Sequence, residues 1–259
     1  MKKVTAFVGS ARKRATYSAA REFLDGLKRL GDVEGEIVPL GDYHLETCRG
    51  CKQCFEKGEE FCPFRDDDRN LLIAKIMASD GVVLATPNYS FNVSGIMKVF
   101  LDRLGFLFHR PRFFGKAFTG IVAQGIYGGG KIVDYLDFVG NGLGFNTVKG
   151  ACVTALEPMT QNEKTKISAK LSDLARRFGQ KLGAPAYPPP AWLKLFAFRM
   201  GRSSIKTQLD ERSMDYRYYR DKGWFEADYF YPVPLGPLKR LGGRLLDSLA
   251  LNLAKKRAD

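Results

Sequence analysis

Apolar residues run along the chain in two alternating rhythms. Short, almost continuous apolar stretches at residues 3–9, 36–40, 81–85, 117–123 and 147–154 predict strands, because a strand buried on both faces has no polar side to show. Between them lie stretches of helical spacing. Residues 16–30 repeat through Ala19, Phe23, Leu27 and Leu30, and Gly31 follows as a stop. Residues 69–77, 95–104, 131–139 and 163–182 have the same character, with Met97, Phe100, Leu101 and Leu104 on one face of the second of these. Strand and helix alternating over residues 1–183 predict an α/β fold, a doubly wound parallel sheet of five strands covered on both faces.

The rhythm stops at Pro185, Pro188, Pro189 and Pro190, which cannot continue a helix and mark a linker. Residues 184–259 are therefore read as an extension. It holds an irregular aromatic stretch, including Trp192, Phe198, Tyr219, Trp224, Tyr229 and Phe230, and an amphipathic helix over residues 238–255. The aromatic stretch is expected to form a lid or a subunit contact. In the last helix Leu238, Leu241, Leu245, Leu249 and Leu253 recur every three or four residues, with Lys239, Arg240, Arg244, Lys255 and Lys256 on other faces. That helix is expected to pack on the domain or on a partner subunit of a homo-oligomer, the alternative being a basic helix lying on an anionic membrane surface.

Composition adds limits. Of 259 residues, 45% are hydrophobic and 27% charged, as in ordinary globular proteins. No apolar run approaches the roughly 18 residues of a membrane-spanning helix. Residues 4–8 are too short for a signal-peptide core, so a cytoplasmic chain with reduced thiols is expected. The net charge of +13 attracts anions, among them phosphorylated cofactors and acidic proteins. No basic block interleaved with aromatics and no zinc-finger pattern is present, so nucleic acid is not an expected partner.

In a doubly wound sheet, ligands bind outside the carboxyl ends of the strands where strand order reverses. The segment Gly9-Ser10-Ala11-Arg12-Lys13-Arg14-Ala15-Thr16-Tyr17-Ser18 leads from the first strand into a helix amino terminus, a place that favours phosphate. It is neither a P-loop nor a dinucleotide fingerprint, and a plain polar turn with an N-cap is the alternative. Four of the five cysteines lie close together, Cys48, Cys51, Cys54 and Cys62, spaced C-x2-C-x2-C-x7-C and followed by Pro63. Such spacing suits a compact iron–sulfur cluster better than structural zinc, with reduced thiols or an oxidative disulfide as alternatives. Cys152 reads as a small buried apolar residue, and His44 and His109 receive no catalytic role.

Gly9-Ser10-x-Arg12 resembles the opening loop of the NADPH-dependent FMN reductase family, a branch of the flavodoxin-like fold. Pro87-Asn88-Tyr89-Ser90-Phe91-Asn92-Val93-Ser94-Gly95, then Lys98 and Asp102-Arg103, is similar to that family's second flavin loop. Residues 123–130, Ala-Gln-Gly-Ile-Tyr-Gly-Gly-Gly, resemble its third. The resemblance implies that Ser10, Arg12, Thr16, Tyr17 and Ser18 hold the FMN phosphate. It implies that Pro87, Asn88, Tyr89, Ser90, Phe91 and Asn92, with Gln124, Gly125 and Gly128, hold the ring. Arg14-Ala15-Thr16-Tyr17 departs from the Gly-Asn-Thr common in the family. The cysteine spacing looks like that of the iron–sulfur flavoproteins, which implies a [4Fe–4S] cluster on Cys48, Cys51, Cys54 and Cys62. The implied activity is an FMN oxidoreductase using NAD(P)H as co-substrate and passing electrons to a quinone, a flavin or another small acceptor. The alternative is an iron–sulfur flavoprotein carrying electrons to and from a ferredoxin-type protein.

Overall fold

The computed structural model of the chain describes residues 1–258, apart from the side chains of residue 251 and of residues 253–258. The faces assigned above to Leu253, Lys255 and Lys256 therefore lie outside the described residues. The chain divides into two compact units, Met1–Arg49 with Asp66–Ala186, and Gly50–Arg65 with Tyr187–Asp259.

The first unit alternates β1 (Lys2–Val8), α1 (Ala15–Leu30) and β2 (Val33–Pro39). Residues 50–65 of the second unit intervene, carrying the single turn α2 (Gln53–Glu56). The first unit then resumes with α3 (Arg69–Met77), β3 (Gly81–Pro87), α4 (Gly95–Arg103), β4 (Ala117–Gln124) and α5 (Gly129–Gly142). It closes with β5 (Asn146–Thr147), β6 (Ala151–Thr154) and α6 (Gln161–Gly183). All pairings are parallel, in the order β2-β1-β3-β4-β5, with β6 also paired to β4. This is the flavodoxin-like arrangement, and order reverses between β1 and β3.

Alternate strand residues serve the two faces. Val4, Ala6 and Val8 of β1 meet Phe23 and Leu27 of α1 and Phe178 of α6, where the Phe23 and Phe178 rings sit edge to face at 5.4 Å. On the other face Phe7 stacks on Phe100 of α4 at 5.4 Å. The fifth sheet position, predicted as one strand over residues 147–154, is two short pieces. Between them the Gly150 N–H turns to the Asp137 carboxylate of α5, at 3.1 Å to Oδ1, instead of extending the ladder. Burial pushes the Asp137 pKa upward against that hydrogen bond.

Asp67 closes the base of the cysteine segment. Its Oδ2 accepts from Arg103 Nε at 3.0 Å, from Arg103 Nη2 at 2.8 Å and from the Glu46 N–H at 3.2 Å. Both side chains of the pair are buried. Beside it, Asp68 Oδ2 accepts from the His44 N–H at 2.8 Å while the Asp68 N–H donates to the His44 carbonyl. Residues 44–46 and 67–68 are thereby held together.

The second unit adds α7 (Trp192–Gln208), α8 (Met214–Asp221) and α9 (Pro237–Ala258). Its aromatic stretch reads in the sequence as irregular. It is instead largely helical, and Phe198, Tyr219, Trp224 and Tyr229 are buried as the unit's own core. Trp224 Nε1 donates to the Phe230 carbonyl at 3.0 Å, and the Trp224 and Phe230 rings meet at 4.8 Å. Residues 50–65 join this unit through α8, where Arg217 Nη2 donates to the carbonyls of Glu56 and Lys57 at 3.3 and 3.2 Å. On α7, Arg199 and Arg202 bind Asp247 of α9 at 2.7 and 2.6 Å.

Removing one partner of a buried ion pair takes away part of the compensation of a desolvated charge. Asp67→Ala is therefore expected to lower stability by about 3–5 kcal/mol in urea unfolding, and Asp68→Ala, whose bonds are more exposed, by about 1 kcal/mol. Equal losses for the two variants would show that the buried pair does not dominate.

Candidate functional site

Three loops leave the carboxyl ends of β1, β3 and β4 on the side where strand order reverses. The first runs from Gly9 to Arg14. Gly9 donates to the Ala85 carbonyl at 2.8 Å, and Ser10 Oγ donates to the Arg12 carbonyl at 2.9 Å, which folds the loop back on itself. The α1 helix then starts with no capping side chain and no acidic residue in its first turn. The positive end of its dipole is thus uncompensated, with Arg12 exposed beside it.

The first and second loops are bonded to each other. The Ser94 hydroxyl donates to the Gly9 carbonyl, accepts from the Met97 N–H at 3.2 Å as the N-cap of α4, and is itself buried. The Ser94 N–H donates to Thr86 Oγ1 at 3.0 Å. A Cβ on Gly9 would sit 2.7 Å from Met97 Cβ, so α4 approaches the first loop as closely as it does only because residue 9 has no side chain. Ser94 belongs to the second loop by sequence, but its tie to the first loop was not anticipated. The readable signal was a serine one residue before a helix start.

Within the second loop, Tyr89 and Asn92 exchange backbone hydrogen bonds at 3.1 and 3.0 Å around Ser90 and Phe91, whose φ values are +49° and +60°. Two successive left-handed residues other than glycine cost energy and mark a turn held by its surroundings. Phe91 packs 5.3 Å from the Tyr127 ring of the third loop and against Gly128, at φ +93°. A Cβ on Gly128 would lie 2.6 Å from the Phe91 ring. Tyr89, Phe91, Ile126 and Tyr127 remain exposed by 52%, 61%, 72% and 66%, an apolar wall open to solvent.

Asn88 joins the loops at their base. Its N–H donates to the Ala123 carbonyl at 2.8 Å and its Nδ2 to the Tyr127 carbonyl at 2.9 Å. That second bond fixes the amide so that Oδ1, buried and lacking a hydrogen-bond partner among the described residues, is left as an acceptor. Pro87 is buried at the end of β3. Gln124 is committed to shaping the third loop. Its Nε2 donates to the Ile126 carbonyl and to Thr154 Oγ1, and its Oε1 accepts from the Gly129 N–H at 2.7 Å.

Not every expected residue faces this crevice. Thr16 is buried, and Tyr17 stacks under Arg21, whose guanidinium lies 5.0 Å from the ring. Ser18 lines a separate cavity of about 480 Å³ between α1 and α6 with Lys13, Arg14, Lys164 and Ser168. Lys98 pairs with Asp102 at 2.5 Å along α4, and that hydrogen bond raises the lysine pKa.

Cys48, Cys51 and Cys152 carry free thiols. Among the described residues no three Cys, His, Asp or Glu side chains come together to hold a metal ion, so the expected ligand set is not formed in this structure. The unit boundary falls inside the run, after Arg49. Cys62 is buried while Cys48 and Cys51 are exposed. Burial raises the pKa of the half-buried Cys152 thiol.

Residues 2–157 match the family model described as NADPH-dependent FMN reductase. An iron-sulfur flavoprotein of Archaeoglobus fulgidus is 35% identical over 129 residues, which are 49% of this chain and 62% of that relative, less than two thirds of its length. A second iron-sulfur flavoprotein of the same organism is 29% identical over 235 residues, covering 86% of this chain and 99% of the relative. Among solved structures, RosB with bound 8-demethyl-8-formylriboflavin-5'-phosphate aligns over 92% of both chains with a TM-score of 0.57 and 12% identity, a likeness of fold.

The contact between Phe91 and Gly128 gives a stability test. Gly128→Ala is expected to cost about 1–3 kcal/mol in urea unfolding, through its left-handed φ and its clash with the Phe91 ring. Gly130→Ala, with open space around it in the first turn of α5, is expected to be neutral or to stabilise by up to about 1 kcal/mol.

Proposed function

This chain belongs to the NADPH-dependent FMN reductase family, and on that footing we propose that it is an FMN-dependent NAD(P)H oxidoreductase passing electrons to a small acceptor. The observation that carries the reading is the convergence of complementary features at the carboxyl ends of β1, β3 and β4. They are an uncompensated helix start beside Arg12, an orphaned amide acceptor on Asn88, and an exposed aromatic wall.

These features fit FMN part by part. A doubly negative phosphate suits the first turn of α1, where Arg12 adds a charged fork. The Asn88 Oδ1 acceptor suits the imide N–H of an isoalloxazine ring. Tyr89, Phe91, Ile126 and Tyr127 supply apolar surface that a flat tricycle would cover. When bound, FMN accepts hydride and releases one or two electrons, chemistry the side chains cannot supply. Hydride transfer needs no side-chain acid or base, so the chain's part is to anchor, orient and shield. Ser94 and Gln124 hold the loops in place.

A second reading is an electron carrier serving a ferredoxin-type protein. The relatives named iron-sulfur flavoprotein favour it, and the net charge of +13 suits an acidic partner. The thiols do not form a ligand set among the described residues, so no electron step is assigned to a cluster.

Arg12→Ala is expected to raise the FMN dissociation constant about ten- to hundred-fold, read from quenching of flavin fluorescence, since a charge-assisted hydrogen bond is lost. Unchanged affinity would remove the phosphate assignment. Anaerobic mixing of the FMN-loaded protein with NADPH or NADH is expected to bleach the flavin absorbance. Bleaching by reduced ferredoxin and by neither nucleotide would decide for the carrier.

A further inference from the structure

The α9 helix meets α7 through a narrow face, with Gly243 and Ala250 buried and Gly242, Leu246 and Asp247 half-buried beside them. A Cβ at Gly242 would lie 2.7 Å from the Trp192 ring, so the two helices touch closely there. The leucines recognised in the sequence lie elsewhere. Leu238, Leu241, Leu245 and Leu249 form one stripe along α9 and are exposed by 78%, 59%, 64% and 48%. Within the second unit the helix is packed by a different face, and the leucine stripe is left exposed. On α7, Trp192, Leu193 and Phe196 are also exposed, and Trp192 rests on Gly242, within one turn of Leu241 and Leu245.

The charges around the stripe are positive. Arg240 and Arg244 are exposed; by helical spacing Arg244 borders the stripe and Arg240 lies farther round on the polar face. Asp247 is the one carboxylate of α9 among the described side chains, and it is tied inward to Arg199 and Arg202. Residues 186–259 carry 14 basic and 8 acidic side chains. A row of leucines beside arginines, with tryptophan at its edge, is the composition of a helix that lies in the boundary between lipid headgroups and chains.

We propose that this face of α9 docks on an anionic lipid bilayer. A leucine stripe alone binds membranes weakly, and a few cations alone do the same; the two together make stable attachment. A second copy of the chain is the poorer occupant, because two copies of this basic unit repel each other. The helix lies on the surface and does not cross it, since no helix among the described residues is long and apolar enough to span a membrane.

The test is flotation of the full chain with vesicles of phosphatidylcholine alone or mixed in equal parts with phosphatidylglycerol. The chain is expected to float with the mixed vesicles, to be released by high salt, and to bind the neutral ones weakly. Arg240→Gln with Arg244→Gln should weaken partitioning onto mixed vesicles about thirty-fold. Leu241→Ser with Leu245→Ser should weaken it at least about ten-fold. Both pairs are exposed, so the thermal unfolding midpoint should stay that of the parent; if the leucine pair lowers it, Leu249→Ser alone replaces that variant. No preference for the anionic vesicles, or full binding by the leucine variant, overturns the proposal. So does a dimer in sedimentation that the leucine variant dissociates while vesicles capture neither form.

Discussion

The bond from the Ser94 hydroxyl to the Gly9 carbonyl is the interaction on which the crevice depends. Strand order reverses between β1 and β3, so the loops after these strands diverge into helices on opposite faces of the sheet. Left alone, they would gape. One buried hydroxyl joins them and, by capping α4, aligns that helix as well. The absence of a side chain at Gly9 lets α4 come close enough for the bond to form. Asn88 repeats the device between the second and third loops, and Gln124 fixes the third to the end of β6. The frame is largely built before any ligand arrives, which reduces the ordering that binding has to supply.

Electrostatics divides along the same lines. The buried Asp67–Arg103 pair is structural: its atoms face other protein atoms, and it holds the start of α3 to the chain at Glu46. The positive charge at the first loop is left uncompensated, exposed and poised for an anion. The wall made by Tyr89, Phe91, Ile126 and Tyr127 leaves apolar surface in water that a folded protein normally hides, and the turn at Ser90 and Phe91 adds backbone strain beside it. Cost concentrated at one edge of an otherwise well-packed sheet is what a binding site requires.

Much of this was legible in the sequence for a physical reason. Strands buried on both faces must be continuously apolar, so β1, β3 and β4 announced themselves, and the fold rule then put the three loops in one place. The failures have equally physical causes. The α7 helix buries Arg199 and Arg202, so its inward face reads as polar and its periodicity vanished. The turn at Ser90-Phe91 lacks the Asn-Gly pair that usually signals such geometry. The break between β5 and β6 depends on a carboxylate from α5, which no local pattern shows. The loop-holding bonds of Gln124 were not legible, because a polar side chain at a strand end can serve a ligand, the loop itself, or both. The spacing of the cysteines was plain, but spacing does not bring side chains together.

Residues 50–65 fold with the second unit, though the chain supplies them long before α8. On a ribosome moving at about 5–20 residues per second, the partner helix for this segment emerges about 150 residues later, a delay of roughly 8–30 s. During that interval the nascent segment lacks the α8 contacts that hold it in the finished molecule. Cys62, shielded in the finished molecule, spends the wait in water beside Cys51 and Cys54. Each new copy thus passes through a period in which the Cys62 thiol lacks the shielding it has in the finished molecule.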